Sequence, residues 1–134
     1  MIRLTVYGQP QPKGSARAFV VGGRAVVTSA NRGLKAWEQS VRAAAQAVAG
    51  GRLLTGPITL EAAFLLTRPP SVRVSKRPHP LTRPDLSKLV RGIEDALTGV
   101  LWRDDSQVIV IRASKAYEAD GLPPRALITI QEAR

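Results

Sequence analysis

The 134-residue sequence contains no cysteine and a single histidine, His79. The lack of cysteine excludes disulfides, cysteine-ligated zinc and a cysteine nucleophile, and it fits a reducing compartment. One histidine cannot build a metal site from several imidazoles, and it leaves little basis for a Ser-His-Asp hydrolase.

Long apolar runs and aromatic residues are also scarce. No stretch of about 20 apolar residues exists, and no apolar run follows a basic N-terminal start. We therefore expect a soluble, cytoplasmic protein that is neither exported nor inserted in a membrane. Aromatic residues make up only 4% of the chain, which argues against binding single strands by base stacking. Trp37 and Trp102 are better placed in the core or in a dimer interface.

Positive charge is the strongest bulk feature. Twenty Lys and Arg face ten Asp and Glu, for a net charge of +10, and fifteen of the cations are arginine. Because the planar guanidinium suits phosphate, a polyanionic partner is indicated, with the alternative of a merely soluble basic protein. A nucleoid-associated location would fit such a partner.

The periodicity of apolar residues predicts one α+β domain over residues 1–134. Alternation predicts strands at the N-terminus, around the Gly22–Gly23 hairpin, after Pro57 and in the last third of the chain. Helical spacing predicts helices from Asn31 to Ala49 and from Asp85 to about Thr98. The order β, β-hairpin, α, β, loop, α, β, β predicts a mixed or mostly antiparallel sheet with two main helices.

The segment 67–84 fits neither helix nor packed strand. It holds five prolines and five cations and no acid, so its prolines resist regular structure and its charges resist burial. Two interpretations stay open for this basic flexible loop: a disordered connector, or a flap that becomes ordered on nucleic acid.

Negative charge is concentrated in one place. Five of the ten acids fall between residues 83 and 107. A phosphate backbone repels carboxylates unless a divalent cation lies between them, and Mg²⁺ binds a few carboxylates together with phosphate and water oxygens. Carboxylates in a cationic surround are therefore typical of phosphodiester hydrolysis. The acids are Asp85, Glu94, Asp95, Asp104 and Asp105.

Each acid also has an ordinary explanation. Asp85 suits a helix N-cap, a contact that contributes about 1 kcal/mol, and an Asp104–Asp105 pair suits a turn. Glu94 and Asp95 suit a solvated helix face or an ion pair with a neighbouring cation. Their joint placement, at a helix start and a strand start, is more informative. We expect the two ends to meet if the strand lies beside the helix N-terminus.

The same segment carries a resemblance. The pattern PDLxxLxxxxxDALTGVLWxDDSQV resembles the core signature of the RusA family of Holliday-junction resolvases, which phages and prophages often carry. The loop GQPQPKGSAR, from Gly8 to Arg17, is similar to that family's Gly-x-Pro-x-Pro-Lys loop after the first strand. The resemblance extends from Met1 to the final strand, and Asp85 to Gln107 is its most specific part.

The resemblance implies a homodimeric endonuclease that depends on Mg²⁺, with Mn²⁺ as an alternative, and that nicks opposed strands of four-way DNA junctions symmetrically. It places the catalytic aspartates on Asp85 and Asp105, with Asp104 as a further metal ligand. The family's helix lysine falls on Arg91, which keeps the charge but cannot titrate.

One departure affects the expected activity. Where the family has Asp-x-Asp at the helix start, this chain has Asp85-Leu86-Ser87, and serine is a weaker, neutral metal ligand. The site could work with two carboxylates, could be assisted by Glu94 or an acid of another chain, or could bind junctions and cut them slowly or not at all.

Cations outside the acidic segment are assigned to DNA. Lys13 and Arg17 on the first loop are expected near the scissile phosphate, and Lys115 points either toward the site or toward solvent. A restriction-type nuclease is disfavoured because Ala113-Ser114-Lys115 lacks the acid that class needs before its lysine. An RNA-binding or ribosomal protein would not need the aspartate pair. The remaining expected DNA contacts are Arg68, Arg73, Lys76, Arg77 and Arg83.

Overall fold

The computed structural model describes residues 1–14, 16–29, 33–119 and 121–133, without the side chains of 16–21 and 25–29. Within these ranges, two helices and six strands follow each other in the predicted order. The elements are β1 (Ile2–Tyr7), β2 (Ala16–Val21), β3 (Arg24–Ser29), α1 (Leu34–Ala49), β4 (Ile58–Leu66), α2 (Leu86–Leu97), a 3₁₀ turn (Asp105–Gln107), β5 (Val108–Tyr117) and β6 (Arg125–Glu132).

Four strands form one mixed sheet in the order β1-β6-β4-β5. β6 is antiparallel to both β1 and β4, whereas β4 and β5 are parallel. β2 and β3 form a separate antiparallel hairpin. The expectation of an α+β fold with a mixed sheet and two helices is therefore confirmed. β5 begins at Val108, because Gln107 belongs to the 3₁₀ turn before it.

The parallel pair fixes where the acidic segment lies. Parallel strands need a crossover connection, and here loop 67–85 and α2 supply it. The chain leaves the carboxyl end of β4, runs down α2 and enters β5 at its amino end. The N-terminus of α2 therefore lies at the carboxyl end of β5, and its C-terminus lies at the amino end.

The core lies between one face of the sheet and the two helices. β4 alternates strictly, with Ile58, Leu60, Ala62, Phe64 and Leu66 buried. These side chains belong to a single cluster with the apolar stripes of α1 and α2. A fully buried side chain of this size contributes roughly 1.5–3 kcal/mol, so the cluster holds α2 firmly. The helix members are Trp37, Val41, Ala45, Leu89, Val90, Ile93, Ala96 and Leu97.

Trp102 ties the end of α2 to the loop before β5. Its side chain is completely buried, and its indole N–H donates to the Thr98 hydroxyl at 3.0 Å. Trp37 is buried as well. Both tryptophans are therefore core residues, one of the two placements expected from the sequence.

Candidate active site

Asp85 occupies the N-cap position of α2, but its carboxylate makes no capping hydrogen bond. Its backbone carbonyl instead accepts from the N–H groups of Lys88 and Leu89, each at 3.1 Å. The side chain is 56% exposed, and one carboxylate oxygen lies 3.7 Å from the Lys88 ammonium. The ordinary explanation of Asp85 as a side-chain cap is thus wrong, and the carboxylate is available to a ligand.

Lys115 holds the chain that leads into Asp85. It lies on β5 opposite Phe64 of β4, and its ammonium donates to the carbonyls of Thr82 and Pro84, each at 3.0 Å. Of the two orientations left open by the sequence, the structure shows the one toward the site. An ammonium has three donors, so one remains beyond these two contacts.

The first loop packs along α2. The backbone N–H of Lys13 donates to the Lys88 carbonyl at 3.0 Å. A Cβ on Gly92 would lie 3.1 Å from the Gln11 carbonyl oxygen, and one on Gly14 would lie 3.1 Å from a guanidinium nitrogen of Arg91. Glycine at these two positions lets the loop approach the helix closely. The loop therefore lies beside Arg91.

The Lys13 side chain is bound by two acids. Its ammonium lies 3.0 Å from a carboxylate oxygen of Asp95 and 3.1 Å from one of Glu38. These partners, with the hydrogen bond to Asp95 as the largest cause, raise the pKa of Lys13 above its usual value. The ion pairs join the loop to both helices. The assignment of Lys13 to a phosphate stays a prediction, and such a contact would compete with two carboxylates.

Asp104 caps the turn that leads into β5. Its carboxylate accepts from the Ser106 N–H at 2.9 Å, and this backbone hydrogen bond is the main cause that lowers the pKa of Asp104. Gln107 accepts from the N–H groups of Arg103 and Asp104 and donates to the carbonyls of Leu54 and Gly56. The ordinary explanation of Asp104 as a turn residue is confirmed.

Asp105 lies beside the C-terminal half of α2. It is exposed, and its charge acts on Glu94 of the helix. The pKa of Glu94 is raised, chiefly by burial and then by the nearby charges of Asp105 and Asp95, whereas Arg91 lowers it. Asp105 and Glu94 therefore lie close enough to repel one another.

Asp85 and Asp105 lie at opposite ends of α2. Glu94, the neighbour of Asp105, is nine residues after Asp85, which is about 13–14 Å along a helix axis. On the strand side, β5 runs from the turn containing Asp105 up to Lys115, the neighbour of Pro84. The expectation that the two ends meet is thus not fulfilled within one chain, because the strand enters beside the wrong end of the helix.

The residues expected to bind a metal ion are separated in the same way. Among the residues that the structure describes, no three His, Cys, Asp or Glu side chains are grouped so that they could hold a metal ion. Ser87 is exposed in the first turn of α2, near Asp85 but a whole helix away from Asp105. One chain therefore does not fit the expected cation with Asp85, Ser87, Asp104 and Asp105 as common ligands.

The basic loop 67–84 has local order without regular secondary structure. The Lys76 and Arg77 N–H groups both donate to the Arg73 carbonyl, at 3.1 and 3.0 Å. Arg68 donates to the Arg77 carbonyl, and its guanidinium stacks 4.3 Å from the centre of the Tyr117 ring. Arg73, Lys76 and Arg83 are exposed, and Arg77 is half-buried. The loop thus presents three exposed cations, of which Arg83 lies two residues before Asp85.

The predicted contact Arg17 lies on β2 opposite Thr28, and its side chain is outside the described residues. Sequence reasoning missed three features of the site: the Lys115 clamp on Pro84, the packing role of Gly92 and the proximity of Glu94 to Asp105. Only Gly92 could have been found from the sequence. A glycine inside a helical pattern destabilises the helix, so its presence there indicates close packing against a neighbouring segment.

The fold is an α+β scaffold in which the exposed carboxylate of Asp85, at the start of the crossover helix, has Lys88 beside it and the exposed Arg83 two residues before it. Residues 7–131 match the model of the family described as endodeoxyribonuclease RusA. The chain therefore belongs to the RusA family of endodeoxyribonucleases, as the sequence indicated. It is also similar to the uncharacterized protein YqaN of Bacillus subtilis (strain 168), with 30% identity over 140 residues, 98% of this chain and 96% of YqaN.

No helix within the described ranges has both the length and the apolar character needed to cross a membrane.

Proposed function

We propose that the protein is a structure-specific endodeoxyribonuclease that binds four-way DNA junctions and nicks opposed strands symmetrically. The observation that carries the proposal is family membership across residues 7–131. It is supported by the net charge of +10 and by two cations near the exposed carboxylate of Asp85, the exposed Arg83 two residues before it and Lys88 at 3.7 Å. Cytoplasmic, nucleoid-associated action in a bacterial or phage-infected cell follows from such a substrate.

In this proposal the cations bind and orient the DNA. Arg73, Lys76 and Arg83 on the basic loop contact phosphates next to Asp85, and Arg91 neutralises phosphate charge beside the first loop. Arginine forms two parallel hydrogen bonds to a phosphate, which fixes strand position as well as binding it. Lys115 contributes by positioning Asp85, because its ammonium binds the carbonyl of Pro84, the residue just before Asp85.

Asp85 and Asp105 are the proposed catalytic carboxylates, with Mg²⁺ or Mn²⁺ as the cofactor. A divalent cation would supply polarisation of the phosphate and a more acidic water. A single chain does not fit that cation, so we assign no individual step to it. The second candidate, a junction or duplex binder with weak or no cleavage, is favoured by this separation and by serine at position 87.

The test is cleavage of a mobile four-way junction with Mg²⁺ or Mn²⁺, compared with a linear duplex of the same sequence. We expect paired nicks in opposed strands of the junction, and loss of nicking of 100-fold or more in Asp105→Asn. Binding of the junction by that variant should persist, since phosphate contacts supply most of the affinity. Tight junction binding with no metal-dependent nicking by the unaltered protein would establish the binder instead.

A further inference from the structure

The cations assigned to DNA do not explain why the protein would prefer branched to linear DNA. Cations bind phosphates in both kinds of DNA, and phosphate contacts supply affinity without reading the bases. A residue that distinguishes the two must respond to how the bases stack or how easily they unstack. Trp37 and Trp102 are buried, so neither is available to a base stack.

Leu81 is the most exposed large apolar side chain in the part of the chain that the structure describes. It is 82% exposed, against 57% for Val74 of the same loop, and it lies outside the core cluster. A single exposed leucine is common on protein surfaces, so exposure alone assigns it no role. Its position is more informative, because Leu81 precedes Asp85 by four residues, at most about 13–14 Å of extended chain.

The backbone is anchored on both sides of Leu81, so its side chain is held out into solvent. Pro80 before it is buried, and the Thr82 carbonyl after it accepts a hydrogen bond from the Lys115 ammonium at 3.0 Å. Arg83 is exposed and follows Leu81 by two residues, at most about 7 Å of extended chain. A phosphate bound by Arg83 therefore brings its bases toward Leu81.

We infer that Leu81 inserts as an apolar wedge between neighbouring bases of the bound DNA and is the residue that makes the protein prefer branched to linear DNA. This assignment rests on the proposed function for its substrate. Leucine is one of the apolar side chains that unstack base steps by insertion. Unstacking opposes binding least where bases are already loosely stacked, as they are where the strands of a junction exchange. Insertion there therefore favours the junction over the duplex.

The first experiment compares binding of a four-way junction and of a linear duplex with the same sequence, by fluorescence anisotropy without a divalent ion. We expect Leu81→Ser to raise the junction Kd about tenfold and the duplex Kd less than about threefold, since the change removes an apolar contact and no charge. Leu81→Phe keeps a bulky apolar side chain and should keep the preference. Val48→Ser, at a 50% exposed apolar position on α1, is the matched control and should change neither Kd.

Two binding results would overturn the assignment. One is an unchanged ratio of junction to duplex affinity in Leu81→Ser, and the other is equal affinity of the unaltered protein for both DNAs. Because Leu81 is exposed, both substitutions should leave the midpoint of urea unfolding unchanged, so the binding of folded protein is compared in every case.

The second experiment measures unstacking directly with 2-aminopurine, a base analogue whose fluorescence rises when it leaves the stack. The analogue is placed at the branch point of one junction and in the middle of an arm of another, and each is saturated with protein. We expect the unaltered protein to raise the branch-point signal about twofold or more and the arm signal little, and Leu81→Ser to raise neither. A branch-point rise of equal size in Leu81→Ser, or none with the unaltered protein, would exclude insertion by Leu81.

The wedge and the proposed nuclease fail separately, because neither experiment depends on cleavage. If the junction preference and the fluorescence rise depend on Leu81 but the unaltered protein cuts no junction with Mg²⁺ or Mn²⁺, the nuclease fails and the wedge stands. If the protein nicks the junction with either metal while both properties survive in Leu81→Ser, the nuclease stands and the wedge is excluded.

Discussion

The Lys115 ammonium donates to the carbonyl of Pro84 at 3.0 Å, so a strand at the sheet edge fixes the residue just before Asp85. A second hydrogen bond from the same ammonium reaches Thr82 at 3.0 Å. The basic loop is thereby attached to the sheet at the point where it becomes helix. In the proposed function Lys115 therefore acts by positioning Asp85, and its ammonium already binds two backbone carbonyls.

Replacing Lys115 by methionine should show whether this residue positions Asp85 or binds the DNA junction. The variant loses two charge-assisted hydrogen bonds that are partly solvent-exposed, so we expect about 1–2 kcal/mol less stability in urea unfolding. Nicking should fall at least tenfold while the junction Kd changes less than threefold. Lys76→Met, which removes an exposed loop cation, is the matched control and should weaken binding without lowering stability. The opposite pattern would make Lys115 a DNA contact.

Gly92→Ala should detach the first loop from α2. A Cβ at this position meets the Gln11 carbonyl oxygen at 3.1 Å, and backbone cannot move aside as a side-chain end can. Alanine favours helix by nearly 1 kcal/mol over glycine, so any net loss measures the clash. We expect a net destabilisation of about 1–3 kcal/mol in chemical unfolding. Ser87→Ala in the same helix is the control, and equal stability of both variants would contradict close packing here.

The contact between Asp105 and Glu94 predicts a pH effect. Burial and the charge of Asp105 raise the pKa of Glu94, so the folded state holds this proton more tightly than the unfolded chain. The resulting stability is present below the ordinary glutamate value of 4.5 and is lost as pH rises through the raised value. Glu94→Gln should therefore equal the unaltered protein near pH 4 and become the more stable of the two toward pH 7.

Carbon-13 NMR of the Glu94 carboxyl checks the cause directly. Asp105→Asn should lower the pKa of Glu94, because the second-largest contribution to its rise is removed. Glu61→Gln, on the far strand β4 and paired with Arg112, should leave it unchanged. An unmoved Glu94 pKa in Asp105→Asn would place the aspartate elsewhere.

The fold was largely predictable because its elements carry strong local periodicity. The α2 stripe of Leu89, Ile93 and Leu97 and the alternation of β4 set both element type and buried face, and the structure shows both. The position of Asp105 relative to Asp85 was not predictable in this way. It depends on which end of α2 the next strand starts from, a property of the parallel crossover and not of any short segment.

The side-chain partners were harder still to predict. Lys13 looks like a free loop cation in sequence, yet Glu38 and Asp95 both bind it. Glu38 comes from α1 and Asp95 from α2, so the pairing exists only after the helices pack. Charge pattern identified which residues face outward, but tertiary packing decides which of them still have room for a phosphate.

Ser87→Asp tests whether serine at this position, where the family pattern has aspartate, lowers the rate of nicking. The substitution restores Asp-x-Asp at the start of α2, where the first turn now holds no acid. A carboxylate there interacts favourably with the helix dipole and stabilises the helix by about 0.3–1 kcal/mol, so the stability of the protein should not fall. If serine limits the site, nicking of a mobile junction should rise about tenfold or more with Mg²⁺, and Ser87→Ala should not raise it. A rate that stays level or falls while the fold is kept would mean that the site does not need a second acid at the start of the helix.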